Sequence, residues 1–122
     1  MVYFISKKLE ISAAHQLTLS YESKCSRLHG HNWQIELFFV ARKLNQDGMV
    51  IDFSHVKKAV LGKLDHANLN EVLDFNPTAE NIGRRLVDMF PECYKATVQE
   101  SFGNTAVVID DEKIKGIESL AL

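Results

Sequence analysis

Two segments of the chain alternate apolar and polar residues with a period of two, and this pattern constrains the fold more than any other feature. In the first segment, residues 3–15, one face carries Ile5, Leu9, Ile11 and Ala13, and His15 continues that face. Side chains two positions apart on a strand project to the same side of a sheet. The pattern therefore predicts a half-buried strand that ends in a histidine.

The second alternating segment covers residues 29–42. One of its faces carries His29, His31, Trp33, Ile35 and Leu37. The opposite face carries Asn32, Gln34 and Glu36. The polar stretch 16–28 between the two segments is typical of a loop, so the sequence predicts two strands whose apolar faces both include histidine.

The rest of the chain predicts two helices and two more strands. One helix starts near Asp52 or Ser54 and runs to about Leu64, and the other starts after Thr78 and ends at Pro91. The closing strands cover residues 94–98 and 105–109, and the pattern places Tyr94, Ala96 and Val98 on one face.

This order of elements predicts an α+β fold with a four-stranded antiparallel sheet and two helices on one side. The length of 122 residues fits one domain, residues 1–122. Such a sheet leaves two open edges, which favours closure by association of subunits.

Composition excludes several classes of function. The net charge of −2, with acidic and basic residues interleaved, does not support a nucleic-acid partner. Apolar runs such as "LFFVA" are too short to span a membrane, and "MVYFISKK" reaches a lysine pair too early for a signal peptide. We therefore expect a cytoplasmic protein whose two cysteines, Cys25 and Cys93, are reduced thiols.

The histidines are candidate metal ligands. His29 and His31 can reach one ion because they share a face, although an isolated pair of this kind is equally compatible with an ordinary strand. His15, at the end of the preceding strand, can supply a third imidazole, which favours the metal site. Three neutral imidazoles suit zinc and leave a fourth position for water or substrate.

Cys25 lies four residues before His29, with Lys24 and Arg27 nearby. Cationic neighbours and a metal lower the pKa of a thiol and favour the thiolate, which acts as base or nucleophile. The same spacing also permits Cys25 to be a fourth zinc ligand in a closed, structural site. Both interpretations remain open at this point.

Two carboxylates are further candidates. Asp65 directly precedes His66, and a carboxylate beside an imidazole can orient it for proton transfer, although a plain helix end explains the pair as well. Alternation from Tyr94 places Glu100 on the apolar face of its strand, where a carboxylate needs a partner. A lysine or arginine could neutralise Glu100, or a ligand with a guanidine-like edge could satisfy it with two hydrogen bonds. If the strand ends before residue 100, the carboxylate is simply solvated.

Six motifs occur in this order along nearly the whole chain: "SAAH", "CSRLHGH", "VIDF", "LDHANLN", "NPTAEN" and "VQES". Together they resemble the 6-pyruvoyltetrahydropterin synthase family. The gap of three residues between Cys25 and His29 resembles the bacterial 6-carboxytetrahydropterin synthase branch, which belongs to the queuosine precursor pathway.

The resemblance implies the tunnelling fold, in which sheets from three subunits close into a barrel and two trimers stack as a homohexamer. It implies zinc bound by His15, His29 and His31, with Cys25 as general base. Asp65 and His66 would complete a catalytic triad from a neighbouring subunit. Glu100 would anchor the pterin ring, and Lys24 and Arg27 are candidates to contact the triphosphate.

The activity implied is that of a carbon–carbon lyase. It would convert 7,8-dihydroneopterin triphosphate to 6-carboxy-5,6,7,8-tetrahydropterin, releasing acetaldehyde and triphosphate. One alternative is a 6-pyruvoyltetrahydropterin synthase, which eliminates triphosphate on the same scaffold. Another is a non-catalytic structural zinc module in which Cys25 closes the site.

Overall fold

A computed structural model describes residues 1–117. Five strands occur in these residues: β1 (Tyr3–His15), β2 (His29–Ala41), β3 (Ala67–Asn68), β4 (Cys93–Ser101) and β5 (Asn104–Ile109). Three α-helices accompany them: α1 (Phe53–Leu64), α2 (Leu69–Val72) and α3 (Ala79–Met89). Short 3-10 turns cover Lys24–Ser26 and Asp111–Ile114.

The strands form one sheet in the order β3-β1-β2-β4-β5. β1 and β2 pair antiparallel over their whole length. β2 also pairs antiparallel with β4, through residues 34–39, and β4 pairs antiparallel with β5. The predicted α+β class with an antiparallel sheet is therefore confirmed. β3 is an addition: its two residues pair parallel to Ala13 and Ala14, and so short a strand has no alternation from which to predict it.

One face of the sheet is covered by the helices, and the main core lies between them. Odd-numbered residues of β1 and β2, such as Ile11 and Leu37, are buried there together with Val60 of α1 and Leu86 of α3. The alternation read from the sequence predicted this face correctly because each strand buries one side only.

Both long helices begin where the sequence predicts. Asp52 caps α1, its carboxylate accepting a hydrogen bond from the Ser54 N–H, and Thr78 caps α3 by accepting from the Asn81 N–H. At Gly83, α3 approaches the sheet so closely that a Cβ atom would lie 2.7 Å from a methyl group of Val108. None of the helices within residues 1–117 is long and apolar enough to cross a membrane.

The predicted face of Tyr94 is wrong. The pairing of β2 with β4 shifts by one residue, so that Phe38 pairs with Lys95 and Phe39 pairs with Cys93. Tyr94 is the extra residue of this bulge, which interrupts the alternation. Its side chain packs in a second cluster with Val40, Ile114 and Ile117 rather than with Ala96 and Val98 in the main core.

Candidate metal centre

Three imidazoles converge at the end of the β1–β2 hairpin. The register pairs His15 directly with His29, and His31 lies two residues further along β2 on the same face. One ring nitrogen from each of the three lies within 4.8 Å of the others. The structure therefore brings together the three histidines that the sequence predicts as ligands.

Backbone carbonyls orient two of the three rings. His15 Nδ1 lies 2.8 Å from the carbonyl oxygen of Pro77, and His29 Nδ1 lies 2.7 Å from that of Arg27. A carbonyl oxygen only accepts hydrogen bonds, so in a neutral ring Nδ1 carries the proton and the Nε2 lone pair is free. This is the arrangement that prepares a histidine for a metal.

Two of the three histidine Nε2 atoms are buried without a hydrogen-bond partner. His15 Nε2 and His31 Nε2 are both shielded from solvent and accept no hydrogen bond within the described part of the chain. Buried polar atoms normally have a partner, so this pair indicates a missing one. A divalent metal ion fits this donor set of three imidazole nitrogens.

The surroundings keep His15 neutral. Its side chain has no exposed surface and its ring packs edge-on against the indole of Trp33 at 4.9 Å between centroids. Burial lowers the pKa of His15, while the hydrogen bond to Pro77 and the charge of Glu100 act in the opposite direction. The neutral imidazole, which is the form that binds metals, is therefore favoured.

Glu100 faces the same imidazoles. Its carboxylate oxygens lie 3.8 Å from His15 Nε2 and 3.5 Å from His31 Nε2. Gln99 pairs with Thr105 and Ser101 pairs with Asn104, which leaves Glu100 as the unpaired residue of a second bulge. Bulges redirect side chains next to functional sites, and this one accompanies a carboxylate aimed at the histidines.

A cleft of about 500 Å³ adjoins Glu100. Its other walls come from the loop after β1, the start of α3 and the β4–β5 hairpin, including Leu17, Tyr21, Thr78 and Thr105. The volume falls within the range of small-molecule sites. Because Glu100 lines the cleft and also contacts the imidazoles, a ligand bound there lies next to the candidate metal.

Cys25 lies in the 3-10 turn that precedes β2. Its N–H donates to Ser23 Oγ and its carbonyl oxygen accepts from the Leu17 N–H. The thiol is free and partly exposed. Cys25 does not belong to the cluster formed by His15, His29 and His31, which we call the imidazole group. Cys93 is a free, buried thiol in the core.

Asp65 and His66 follow the end of α1. Asp65 Oδ1 accepts from the Ser12 N–H, and the His66 N–H donates to the Ser12 carbonyl oxygen. These bonds hold His66 at a φ of +55°, in the left-handed region, and its Nε2 lies 3.5 Å from Asp65 Oδ2. The His66 side chain is 82% exposed, so within one chain it faces solvent rather than the imidazole group.

Lys24 and Arg27 are exposed. The Arg27 carbonyl, and not its guanidinium, is the group that contacts the site, through His29.

Sequence reasoning missed Pro77 as a partner of His15, and it missed Tyr21 and Thr78 in the cleft. Both Pro77 and Thr78 belong to the "NPTAEN" motif, but sequence reasoning assigned Thr78 only the role of a helix cap and assigned Pro77 none.

Comparison with known proteins identifies the family. Residues 4–110 match the family model of 6-pyruvoyl tetrahydropterin synthase. The 6-carboxy-5,6,7,8-tetrahydropterin synthase of Bacillus subtilis is 33% identical over 91 residues, covering 69% of this chain and 62% of that protein. The enzyme of the same name from Synechocystis is 38% identical over 90 residues, covering 66% of this chain and 69% of that protein.

The chain spans less than two thirds of some relatives. A putative 6-carboxy-5,6,7,8-tetrahydropterin synthase of Pyrococcus horikoshii is 40% identical over 70 residues, which cover 54% of this chain and 43% of that protein. These alignments concern the shared region only.

Solved structures show the same fold. The 6-pyruvoyl tetrahydropterin synthase of Caenorhabditis elegans superposes with a TM-score of 0.71 at 24% identity, covering 89% of this chain and 96% of that chain. The Plasmodium falciparum protein of the same name gives 0.65 at 21% identity, covering 88% and 96%. The tunnelling fold is therefore shown, and the chain belongs to the 6-pyruvoyl tetrahydropterin synthase family.

Proposed function

We propose that the protein is a zinc-dependent 6-carboxy-5,6,7,8-tetrahydropterin synthase. It would act on 7,8-dihydroneopterin triphosphate and release acetaldehyde and triphosphate, as a carbon–carbon lyase in queuosine precursor synthesis. The relatives that carry this name support the proposal. The observation that carries it is the convergence of His15, His29 and His31 beside Glu100 at the wall of a cleft.

Each residue would have a distinct role. A zinc ion held by the three histidines would polarise the hydroxyl groups of the substrate side chain. Glu100 would accept hydrogen bonds from the 2-amino and N3–H groups of the pterin, which holds the ring in the cleft. Lys24 and Arg27 remain candidates for the triphosphate because their charges lie on the same loop as Cys25.

Proton transfer would fall to the other three residues. Cys25, as thiolate, would take a proton from the substrate side chain, and His66, oriented by Asp65, would move it during cleavage of the carbon–carbon bond. Because His66 is 82% exposed, it is available to reach a site on a neighbouring subunit. We therefore propose a trimer-based assembly, stacked as a hexamer, in which each pocket receives residues from two chains.

A product assay tests the proposal. Zinc-loaded protein incubated with 7,8-dihydroneopterin triphosphate should release acetaldehyde, detected with a coupled alcohol dehydrogenase, and 6-carboxytetrahydropterin, detected by mass spectrometry. Cys25→Ala and His66→Ala should retain zinc but lose at least about 100-fold in turnover, because each removes a general acid–base group. Substrate consumption without acetaldehyde would instead favour the 6-pyruvoyltetrahydropterin synthase.

The same variant distinguishes a structural zinc module. If Cys25 closed the coordination sphere, Cys25→Ala would release the metal and destabilise the fold. The composition of the imidazole group argues against this role, because it comprises three histidines and not Cys25. Full zinc content in Cys25→Ala, measured by atomic emission on the folded protein, is the expected result.

A further inference from the structure

The loop that carries Cys25 is held by two asparagine side chains from the motifs "LDHANLN" and "NPTAEN". Asn70 Oδ1 accepts from the Gln16 N–H at 2.8 Å, and Asn70 Nδ2 donates to the Gln16 carbonyl oxygen at 2.9 Å. Asn76 makes the same pair of bonds with Thr18, at 2.9 Å and 3.0 Å. Each carboxamide therefore satisfies both backbone polar groups of one loop residue, as a neighbouring strand would.

These bonds continue β1 beyond its last paired residue. The strand pairing of β1 ends at His15 opposite His29, and β3 reaches only Asn68. A carboxamide offers one donor side and one acceptor side, which is what an isolated extended residue needs from a partner. Alanine offers neither group, and aspartate offers only acceptors.

Leu17, which lies between Gln16 and Thr18, contacts the backbone of Cys25. The Leu17 N–H donates to the Cys25 carbonyl oxygen at 2.9 Å. The Cys25 N–H is held by Ser23 Oγ at 3.1 Å. Three consecutive residues, 16–18, are therefore hydrogen-bonded in turn to Asn70, to the Cys25 backbone and to Asn76.

We propose that Asn70 and Asn76 are positioning residues that hold the loop carrying Cys25 in place. This inference rests on the proposed function for the role of Cys25 as base. Neither asparagine is assigned contact with the substrate. Their loss would leave the zinc ligands in place while allowing the thiol to leave its working position.

Asn70→Ala is the primary variant. Asn70 is exposed, so water can replace its bonds and the fold should persist. Asn76→Ala is the second variant, although Asn76 precedes Pro77, the partner of His15. Asn45→Ala is the matched control, because Asn45 Oδ1 also accepts two backbone N–H bonds, at 2.9 and 3.0 Å, in the turn between β2 and α1.

The first measurement is the rate at which iodoacetamide alkylates Cys25 in the folded, zinc-loaded protein, followed by peptide mass spectrometry as a function of pH. Loss of two hydrogen bonds should increase the open population of the loop and raise this rate by about tenfold in Asn70→Ala. Cys93, with no exposed surface, serves as the internal reference and should remain unlabelled. Zinc content should not change.

The second measurement is turnover. With Cys25 displaced, kcat should fall by about tenfold while KM changes less. The hydrogen bonds of Asn70 and Asn76 act on the position of the base and not on the contacts to the pterin. Asn45→Ala should match the wild type in both measurements. If the effect came only from a general loss of stability, Asn45→Ala, which also loses two hydrogen bonds, would change alkylation and kcat in the same way.

Two results would overturn the inference: unchanged Cys25 alkylation and kcat in folded Asn70→Ala and Asn76→Ala, or an equal change in Asn45→Ala. Failure of the proposed function is distinguishable from both. It would appear as wild-type protein without turnover, whereas the alkylation comparison needs no substrate and still decides whether the asparagines hold the loop.

Discussion

At the scale of single residues, His15 shows how the fold prepares an ionisable group for its role. Its ring is fully buried, it donates from Nδ1 to Pro77, and it leaves Nε2 without a hydrogen-bond partner. Burial favours the neutral ring, and the hydrogen bond selects the tautomer that presents Nε2. The same features make predictions about the metal-free protein and about metal binding.

The stability of the metal-free protein should decrease as the pH falls below about 6.5. Burial lowers the pKa of His15 from its ordinary value of 6.5, so below that value the unfolded chain binds a proton more readily than the folded chain. The free energy of unfolding therefore rises with pH in this window and levels off above it. Urea denaturation in chelator at about pH 7.5 and about pH 5.5 measures the difference.

His15→Gln supplies the control for this prediction, because its side chain does not titrate. The variant should lose less stability over the same pH interval than the wild type, whatever its stability at neutral pH. An equal loss in both proteins would contradict the assignment of the pH dependence to His15.

His29→Ala should weaken zinc binding by more than about 100-fold, since it removes one of three ligands and even the loss of an outer-shell partner costs 10- to 100-fold. Competition with a fluorescent zinc chelator measures the affinity. His55→Ala is the control, because His55 is 76% exposed and lies outside the imidazole group. Wild-type affinity in His29→Ala would refute the three-histidine site.

At the scale of elements, the packing of α3 on β4 and β5 depends on a glycine. Gly83 is buried, and a Cβ atom there would lie 2.7 Å from Val108 Cγ2 and 3.5 Å from Val98 Cγ2. Both neighbours are β-branched and rigid at χ1, so neither can easily move away. By contrast, Gly62 on α1 is exposed, and an added Cβ atom there would have no neighbour within 4 Å.

Gly83→Ala should destabilise the protein by about 1 kcal/mol, the net of about 1–3 kcal/mol for overpacking and about 1 kcal/mol of gained helix propensity. Gly62→Ala should stabilise it by about 0.5–1 kcal/mol, since only the propensity gain applies there. Thermal unfolding at one fixed protein concentration tests both. Stabilisation by Gly83→Ala would show that α3 does not lie as close to the sheet as described.

At the scale of the whole molecule, the sheet of one chain is open at its edges. In the described residues, β5 has a neighbour on one side only, and β3 covers β1 only near Ala13 and Ala14. β5 also exposes Val107 and Ile109, and an apolar cavity of about 570 Å³ adjoins the start of β1. Open edges with exposed apolar side chains favour association of sheets.

We therefore expect the protein to assemble through β5, and Val107→Lys should shift it towards smaller species. Val107 is 56% exposed, and burying a lysine at an interface would leave a charge without a partner. Sedimentation velocity measures the change. Ala59→Lys, at an exposed position of α1, should sediment like the wild type, and a monomeric wild-type protein would contradict the prediction.

Much of the fold and the three histidines could be predicted from the sequence because the evidence for them is local. A period of two tells which side chains share a face, and the caps at Asp52 and Thr78 mark helix starts within a few residues. That His15, His29 and His31 lie on the apolar faces of their strands could be predicted from each strand by itself.

The tertiary structure alone decided how those faces meet. It pairs His15 with His29, places bulges at Tyr94 and Glu100, and brings Asn70 and Asn76 to a loop more than fifty residues earlier in the chain. Register, bulges and side-chain clamps depend on contacts between segments that are far apart in sequence. The free energies of these contacts therefore depend on the whole packed molecule, and they cannot be predicted from a short stretch of sequence.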